Sequence, residues 1–474
     1  MLLKERRVRR LGDLTTPEKI QNLRQQLHQK AKDEPSFRFY TLYDKVYRRD
    51  ILSHAYELAK EKGGSAGVDG LTFKDIEKDG GLEPFLRKLE EELKTETYQP
   101  MPLRRVFIPK ADGGQRPLGI PTIRDRVAQG AALLVLEPIF EADMPPNAYA
   151  YRAELSAHDA IKHVHRLLRE GYVDVVDADL SKYFDTIPHS ELLKSVARRV
   201  SDGKILKLIK LWLKMPAEER TEKGRRKLTG GGGRGTPQGG VISPLLANIY
   251  MRRFLLAWEK WGLPKKLRAH VVNYADDFVI LCRRTADRAR GVAEKIIEGM
   301  KLTMNAQKTR TVNAWKEPFN FLGYTFGPCF EPRGAQIYLG AKPERKRLLR
   351  FDRANQELLK KLWVDAENEV IAALNRRLIG WVGYYSYGTL SDAYRMADRL
   401  TARRVRTWLC RRYRVETRGT RQFPEEELYS KYWLFSLRAW LSTRRQQAYG
   451  KAQSESRMRE IRTSGSMSGR WKRR

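Results

Sequence analysis

The sequence has few acidic residues for its size and no long apolar run. Its 474 residues include 57 Asp and Glu against 92 Lys and Arg, a formal net charge of +35. No apolar run approaches the ~20 residues that a membrane-spanning helix needs, and the start, MLLKERRVRR, lacks an apolar signal-peptide core. We therefore expect no membrane partner. We expect the excess positive charge to be balanced by the phosphates of a nucleic acid.

Cysteine and histidine are also scarce, which argues against zinc frameworks and disulfide scaffolds. Cys282, Cys329 and Cys410 are far apart and form no CxxC pair. Of the seven histidines only His163 and His165 are close, without further ligands at metal spacing. This usage fits a reducing compartment, and we expect a cytoplasmic protein.

Aromatic residues, by contrast, are plentiful and interleaved with the basic ones. The chain has 21 Tyr and 10 Trp. Aromatic rings stack on bases while Lys and Arg contact phosphates, so this combination favours nucleic-acid binding over a merely solvated basic surface.

The order of periodic segments predicts an α+β fold with a small, mainly antiparallel sheet over residues 36–325. Strand-like runs alternate with amphipathic helices, and a hairpin is predicted over 101–121. After Pro343 the pattern becomes helical. Residues 395–474 contain 22 Lys and Arg against 7 Asp and Glu, which indicates a basic C-terminal region.

Two adjacent aspartates occupy a second predicted hairpin, AHVVNYADDFVILC (269–282). Asp276 and Asp277 would repel each other at its tip unless a cation neutralised them. Asn-Gly or Asp-Gly would make a better ordinary turn. Since Asp is common in turns, this pair alone is a moderate indication of function.

A second strand also ends in carboxylates. YVDVVDADL leads from an apolar strand into Asp177, Asp179 and then Asp185, and strand alternation places Asp177 and Asp179 on one face. Carboxylate oxygens from two strand ends could bind Mg²⁺. Two such ions could activate a primer hydroxyl and stabilise departing pyrophosphate. The glycine run TGGGGRGT is not a P-loop, because it lacks the Lys-Ser/Thr ending.

An ordered series of motifs resembles the reverse transcriptase of group II introns. The matching segments are SAGVDG (65–70), IPKADGGQRPLGIP (108–121), DADLSKYFD (177–185), GTPQGGVISPLLANIY (235–250), YADD (274–277), LTMNAQKT (302–309) and FLGYTF (321–326). YADD alone would be weak support, but seven segments in order are specific. LNRRLIGWVGYY (374–385) is similar to the thumb, or maturase X region, of those proteins.

The resemblance implies a catalytic triad of metal-binding aspartates. It assigns Asp179, Asp276 and Asp277 to two Mg²⁺ ions, while Asp177 precedes the motif and is expected to be structural. Lys308 stands where the family has a lysine proposed to protonate pyrophosphate; a solvated lysine at a helix end is the alternative.

The resemblance also implies a nucleotide-binding set. Lys110 and Arg116, on the two arms of the first hairpin, would grip the triphosphate of a dNTP; ordinary surface charge is the alternative. Phe184 would exclude a ribose 2′-hydroxyl, or else be a core residue. Gln238 and Gly239 would position nucleotide and template, with glycine allowing close backbone approach.

The fold implied is a right-hand polymerase followed by a helical thumb and a basic module. We predict a basic N-terminal extension at 1–35, fingers and palm at 36–330, a thumb at 340–390 and a nucleic-acid-binding region at 395–474. Many relatives add an H-N-H endonuclease. After Cys410 this sequence has neither a Cys pair nor a ligand histidine, so we expect that activity to be missing and the primer to come from elsewhere.

The function implied is an RNA-directed DNA polymerase encoded by a group II intron. Its expected partners are intron RNA, an RNA template, a DNA primer or target and dNTPs; the sequence does not set its oligomeric state. It would assist splicing as a maturase and copy the intron into DNA during retrohoming. Two alternatives are a stand-alone relative in defence or repair and an RNA-binding splicing cofactor without polymerase activity.

Overall fold

The structure is a computed structural model that describes residues 15–109, 114–220, 226–331, 336–444 and 446–447. The chain divides into two compact units, the first ending at Asn313 and the second beginning at Ala314. The FLGYTF segment thus belongs to the second unit, although the predicted fingers and palm extend to residue 330. Each unit is described separately below.

The first unit is mainly helical. Its helices are α1 (Glu18–Asp33), α2 (Tyr43–Val46), α3 (Arg49–Lys62), α4 (Phe73–Glu77), α5 (Leu82–Lys94), α6 (Ile123–Glu141), α7 (Ala157–Arg169), α8 (Tyr183–Thr186), α9 (His189–Ala197), α10 (Gly203–Leu213), α11 (Ser243–Lys260), α12 (Leu263–Lys266) and α13 (Ala286–Gly299). A short 3-10 helix spans Lys78–Gly80.

Eight strands of this unit form two sheets. They are β1 (Leu103–Pro109), β2 (Gln115–Ile120), β3 (Asp174–Asp179), β4 (Pro216–Arg220), β5 (Arg226–Gly230), β6 (Ala269–Tyr274), β7 (Asp277–Cys282) and β8 (Arg310–Asn313). One sheet has the order β2-β1-β4-β5 and the other β6-β7-β3-β8. Every pair is antiparallel except β1 with β4. Both predicted hairpins are therefore present, but no local pattern predicted β4 and β5.

The second sheet is fixed by burial on both of its faces, because consecutive strand residues point to opposite sides. Phe278 to Cys282 are all fully buried, as are Val175 and Val176. Phe254 of α11 packs on Phe278 with ring centroids 5.1 Å apart, and Trp258 donates its indole N–H to the Ala269 carbonyl at 3.2 Å. Burying such aromatic rings is among the largest single contributions to a core.

Helix α6 runs through the centre of the first unit. It is buried on every side, as an apolar helix without a polar face must be. Thr122 begins the helix by accepting from the Asp125 N–H at 3.1 Å. The buried Asp125 carboxylate accepts from the Met101 N–H at 3.1 Å and from the Tyr98 hydroxyl at 2.6 Å. This network ties the start of α6 to the segment that leads into β1.

The described part of the second unit has one three-stranded sheet, four helices with the bounds below and a further helical segment over residues 437–444. They are β9 (Phe319–Phe321), β10 (Tyr324–Glu331), β11 (Gln336–Pro343), α14 (Arg345–Lys361), α15 (Glu367–Tyr384), α16 (Ser391–Arg412) and α17 (Glu425–Ser430), with sheet order β11-β10-β9. An aromatic cluster fills its core, where Trp381 lies 4.7 Å from Tyr385 and 5.9 Å from Tyr394 between ring centroids. The predicted helical character after Pro343 is confirmed.

Two further features bear on the sequence predictions. Among the described helices none is long and apolar enough to cross a membrane. Cys282, Cys329 and Cys410 are all buried free thiols. The α+β fold class is confirmed, with helices around three small sheets rather than one.

Candidate active site

The tip of the β6–β7 hairpin carries the aspartate pair. Tyr274 pairs with Asp277, so Ala275 and Asp276 form a two-residue turn. Ala275 has φ +59°, a left-handed conformation that costs a non-glycine residue about 1–3 kcal/mol. The buried Asn273 side chain stabilises this turn by donating to the Ala275 carbonyl at 2.8 Å. Strained backbone at a carboxylate-bearing tip is typical of functional sites.

Strand β3 brings the third aspartate to the same place. Asp179 is the register partner of Asp277, and Asp177 is the partner of Val279. Residues opposite each other on antiparallel strands have Cβ atoms ~4.5–5.5 Å apart. The polymerase prediction depended on Asp179 lying beside the hairpin tip, and the structure places it there.

The Asp179 carboxylate also has two neighbours from the LTMNAQKT segment. Its Oδ2 lies 3.4 Å from Lys308 Nζ and accepts from Asn305 Nδ2 at 3.3 Å. The Asn305 backbone N–H also donates to the Asp179 carbonyl at 2.8 Å. Two of the predicted residues, distant in sequence, are thereby brought together.

Asp177 makes a different contact on the same strand face. Its Oδ2 lies 3.1 Å from Arg310 Nε on the neighbouring strand β8. Burial raises the pKa of Asp177, while Arg310 lowers it. This ion pair gives Asp177 a cross-strand partner, as a structural role would require.

The electrostatics around Asp276 favour a cation. Burial raises the pKa of Asp276, and the negative charge of Asp179 raises it further, while Arg116 and Lys308 lower it. A divalent ion would offset both unfavourable effects, and carboxylate oxygens are suitable ligands. Within the described residues, however, no three Asp, Glu, His or Cys side chains are arranged as a ready metal cluster. The three carboxylates are suitable ligands for a divalent ion, and the strand register brings them to one place. The Asp179 carboxylate contacts Lys308 and Asn305.

Of three predicted nucleotide-binding residues, Arg116 is the one whose charge is shown to act on this tip. Arg116 is exposed on β2, opposite Ile108, and its charge acts on Asp276. Phe184 is half-buried and packs edge-on against Tyr183, with centroids 5.6 Å apart. Lys110 lies outside the described residues.

Gln238 and Gly239 form a tight junction with the β1–β2 hairpin. The Gly119 N–H donates to the Gln238 carbonyl at 2.7 Å. Gly239 has φ +109°, and a Cβ there would lie 2.3 Å from the Gly119 oxygen. Only glycine fits this position. The strand that carries Arg116 is therefore joined directly to the segment that carries Gln238.

Gln129 is a buried side chain of this region that the sequence analysis missed. From α6 its Oε1 accepts from the Val241 N–H at 2.8 Å. It thus holds the loop that follows Gly239. A buried glutamine in a helix of apolar residues was the available signal.

Tyr151 is a second residue of this region that the sequence patterns did not predict. Ala148 forms a parallel bridge with Asn273 of β6, and the Tyr149 N–H donates to the Asn273 carbonyl at 3.0 Å. The chain turns at Tyr151, three residues after this isolated bridge. Tyr151 is 51% exposed with φ +56°. Burial raises the pKa of Tyr151, Asp276 and Tyr274 raise it further, and Arg116 lowers it. A left-handed tyrosine beside two predicted site residues belongs to the site, and only the pairing of residues 148 and 273 reveals it.

Comparison with known families agrees with this geometry. Residues 108–326 match the family model for reverse transcriptase (RNA-dependent DNA polymerase). Residues 350–423 match the model for the group II intron, maturase-specific domain. Aspartates at two adjoining strand ends, within a matched polymerase region, define the chain as a reverse transcriptase.

Similar proteins identify the particular family. The chain is 34% identical to protein YkfC of Escherichia coli over 342 residues, covering 64% of this chain and 87% of YkfC. It is 36% identical to the group II intron-encoded protein LtrA of Lactococcus lactis over 232 residues, or 48% of this chain and 36% of LtrA. A putative COX1/OXI3 intron 1 protein of Saccharomyces cerevisiae is 27% identical over 58% of this chain and 38% of its own length. The chain belongs to the group II intron-encoded reverse transcriptases.

The family confirms several predictions. The chain is an RNA-directed DNA polymerase with a maturase domain, and the reverse transcriptase family uses divalent metal ions. The alignments leave more than half of LtrA and of the yeast protein unmatched. The roles of individual site residues and the predicted domain boundaries stay predictions.

Proposed function

We propose that this protein copies intron RNA into DNA with two Mg²⁺ ions held by Asp179, Asp276 and Asp277. The observation that carries the proposal is the register of β3 and β7, which sets Asp179 opposite Asp277 and next to Asp276. When bound, such ions activate the attacking primer hydroxyl and neutralise charge on the leaving pyrophosphate. The three carboxylates would bind and orient them.

Cations of the chain would stabilise the triphosphate. Arg116 can engage phosphate oxygens through its planar fork. Its strand is joined to the Gln238 segment by the Gly119 N–H bond, so movement of the hairpin would move both groups together. Lys110 is proposed for the same role on the other arm of the hairpin.

Lys308 would hold a proton near the reacting phosphates. Its Nζ lies 3.4 Å from Asp179 Oδ2. This ammonium would be available to donate a proton to departing pyrophosphate. Phe184 would select the sugar from its half-buried position after β3.

Binding of intron RNA would rest on distributed charge. The second unit has 34 Lys and Arg against 16 Asp and Glu, and it contains the maturase-specific match. Structured RNA is recognised largely through shape, phosphates and 2′-hydroxyls. We propose that this unit helps the intron to fold and splice, and that the first unit then copies it from a DNA primer.

Two assays test the proposal. The protein is expected to extend a DNA primer on an RNA template with dNTPs and Mg²⁺, and chelation should stop the reaction. It is also expected to speed the splicing of its intron RNA at limiting Mg²⁺. Absence of extension under these conditions would end the polymerase proposal, and unchanged splicing would end the maturase proposal.

A further inference from the structure

A groove between α14 and α16 has the composition of a binding site. The two helices run in the same direction, because Asp352 pairs with Arg404 while the Trp363 carbonyl accepts from Arg412. The space between them is about 100 Å³ and opens to solvent, so it is a shallow groove, smaller than the ~300–1,000 Å³ of pockets that enclose small molecules. Its walls are formed by Gln356, Leu359, Lys360, Trp363, Arg404, Thr407, Trp408 and Arg411.

The groove is lined by a buried polar group that no described group satisfies. Trp408 is 4% exposed, and its indole N–H has no hydrogen-bond partner among the described residues. A buried donor or acceptor left unsatisfied costs about 1–3 kcal/mol. A ligand with its own donors and acceptors would remove that cost.

Basic side chains and an aromatic ring lie at the solvent-facing opening of the groove. Lys360 and Arg411 are exposed, and no ion pair is found for either within the described part of the chain. Arg404 is held in place by two bonds to the Asp352 carboxylate, at 3.0 and 2.7 Å. Trp363 is 41% exposed. The groove thus offers positive charge, a flat apolar face and an unsatisfied N–H within one small volume.

We propose that this groove binds a single unstacked nucleotide of RNA. Its base would stack on Trp363 and accept from the Trp408 indole N–H, while its phosphate would lie against Lys360 and Arg411. Proteins read single-stranded RNA by splaying out bases, stacking them on aromatic rings and bonding their edges. An acidic peptide would use the cations but would leave the Trp363 face unused. The proposal rests on the proposed binding of RNA by the second unit and names one site within it.

The test uses the full chain and a short single-stranded oligo(A) RNA as the probe, with a double-stranded RNA of equal length for comparison. Trp408→Phe keeps the ring but removes the N–H, and Trp363→Leu removes the stacking face. We expect each change to weaken single-strand binding about five- to tenfold, with little effect on duplex binding. Trp433→Leu, which removes a 78% exposed ring elsewhere in this unit, is the control and should leave binding unchanged.

Several outcomes would overturn the site. These are unchanged single-strand binding in both groove variants, equal weakening by Trp433→Leu, or equal weakening of duplex binding. If Trp408→Phe fails to fold, the exposed variant Lys360→Gln replaces it, with a two- to fourfold loss expected. Primer extension is measured in the same preparations: if the wild type extends a primer and binds RNA while the groove variants bind normally, only the groove assignment fails. If the wild type binds no RNA, the proposed function fails as well.

Discussion

The two units of this chain carry nearly the same net charge on very different lengths. Residues 1–313 have a net charge of +17 and residues 314–474 of +18, so the second unit has about twice the charge density. The first unit holds the three aspartates that are predicted to bind metal. All seven histidines also lie in it. The first unit is thus suited to catalysis, which depends on a few precisely positioned groups. The second unit is suited to RNA binding, which depends on many distributed positive charges.

The strongest test of this contrast removes one carboxylate. Asp276→Ala is expected to lower DNA synthesis by roughly 10²–10³-fold or more, because metal ligands act in the transition state. RNA affinity and splicing assistance should remain, since they depend on many cations. Primer-extension rates and RNA filter binding measure the two effects. Asp177→Ala removes the same atoms from the neighbouring strand and should cost less than about tenfold. If Asp276→Ala lost RNA binding as strongly as DNA synthesis, the assignment of catalysis to the first unit and RNA binding to the second would be wrong.

The second test addresses the junction inside the first unit. Gly239→Ala places a Cβ 2.3 Å from the Gly119 oxygen at a φ of +109°, so the β1–β2 hairpin must shift. We expect kcat/KM for dNTP to fall about tenfold or more, with stability lowered by about 1–3 kcal/mol. Steady-state kinetics and thermal unfolding measure these. Gly232→Ala, where a Cβ would meet no atom within 4 Å, is the matched control and should be neutral. A normal KM in Gly239→Ala would mean that the hairpin and loop act independently.

The third test addresses the spread charge of the second unit. Arg399 and Arg403 are exposed one turn apart on α16. The double change Arg399→Gln/Arg403→Gln should weaken RNA binding several-fold and reduce the slope of log affinity against log salt by about 1 per lost phosphate contact. Primer extension at saturating RNA should change little. Arg87→Gln/Lys88→Gln removes the same charge from exposed positions of α5. An equal effect there would show that total charge matters and that its location does not.

The smallest expected effect concerns acid stability of the first unit. Burial lowers the pKa of His163 to about 4, and its Nδ1 lies 2.7 Å from the Tyr149 hydroxyl. The unfolded chain binds a proton near pH 6.5 and the folded one does not, so stability falls as pH drops from about 6.5 towards 4. We expect a loss of about 1–2 kcal/mol by pH 5, measured by denaturant unfolding. His163→Gln should flatten this slope; an unchanged slope would remove His163 as its source.

Much of the site could be predicted from local patterns. Asp276 and Asp277 interrupt two strand-forming runs, and the structure has the expected hairpin there. Asp179 ends an apolar strand, as its pattern indicates. The parts that were missed depend on distant contacts. Strand β4 pairs with β1 across more than a hundred residues, the segment before Tyr151 is bridged to β6 at Ala148, and Gln129 holds a loop far along the chain. No local periodicity in the sequence predicts the burial or the hydrogen bonds of these groups.

The order of residues alone shows which residue types end the predicted strands, which faces of the helices are apolar, and how charge is divided along the chain. Side-chain chemistry and the periods of helix and strand are local properties, so they can be read from the order of residues. Only the tertiary structure decided that Asp179 faces Asp277, that Gly119 meets Gln238 and that α14 and α16 leave a groove. Those pairings follow from packing between distant segments, which buries apolar surface wherever the whole chain permits and which no short window of sequence can specify.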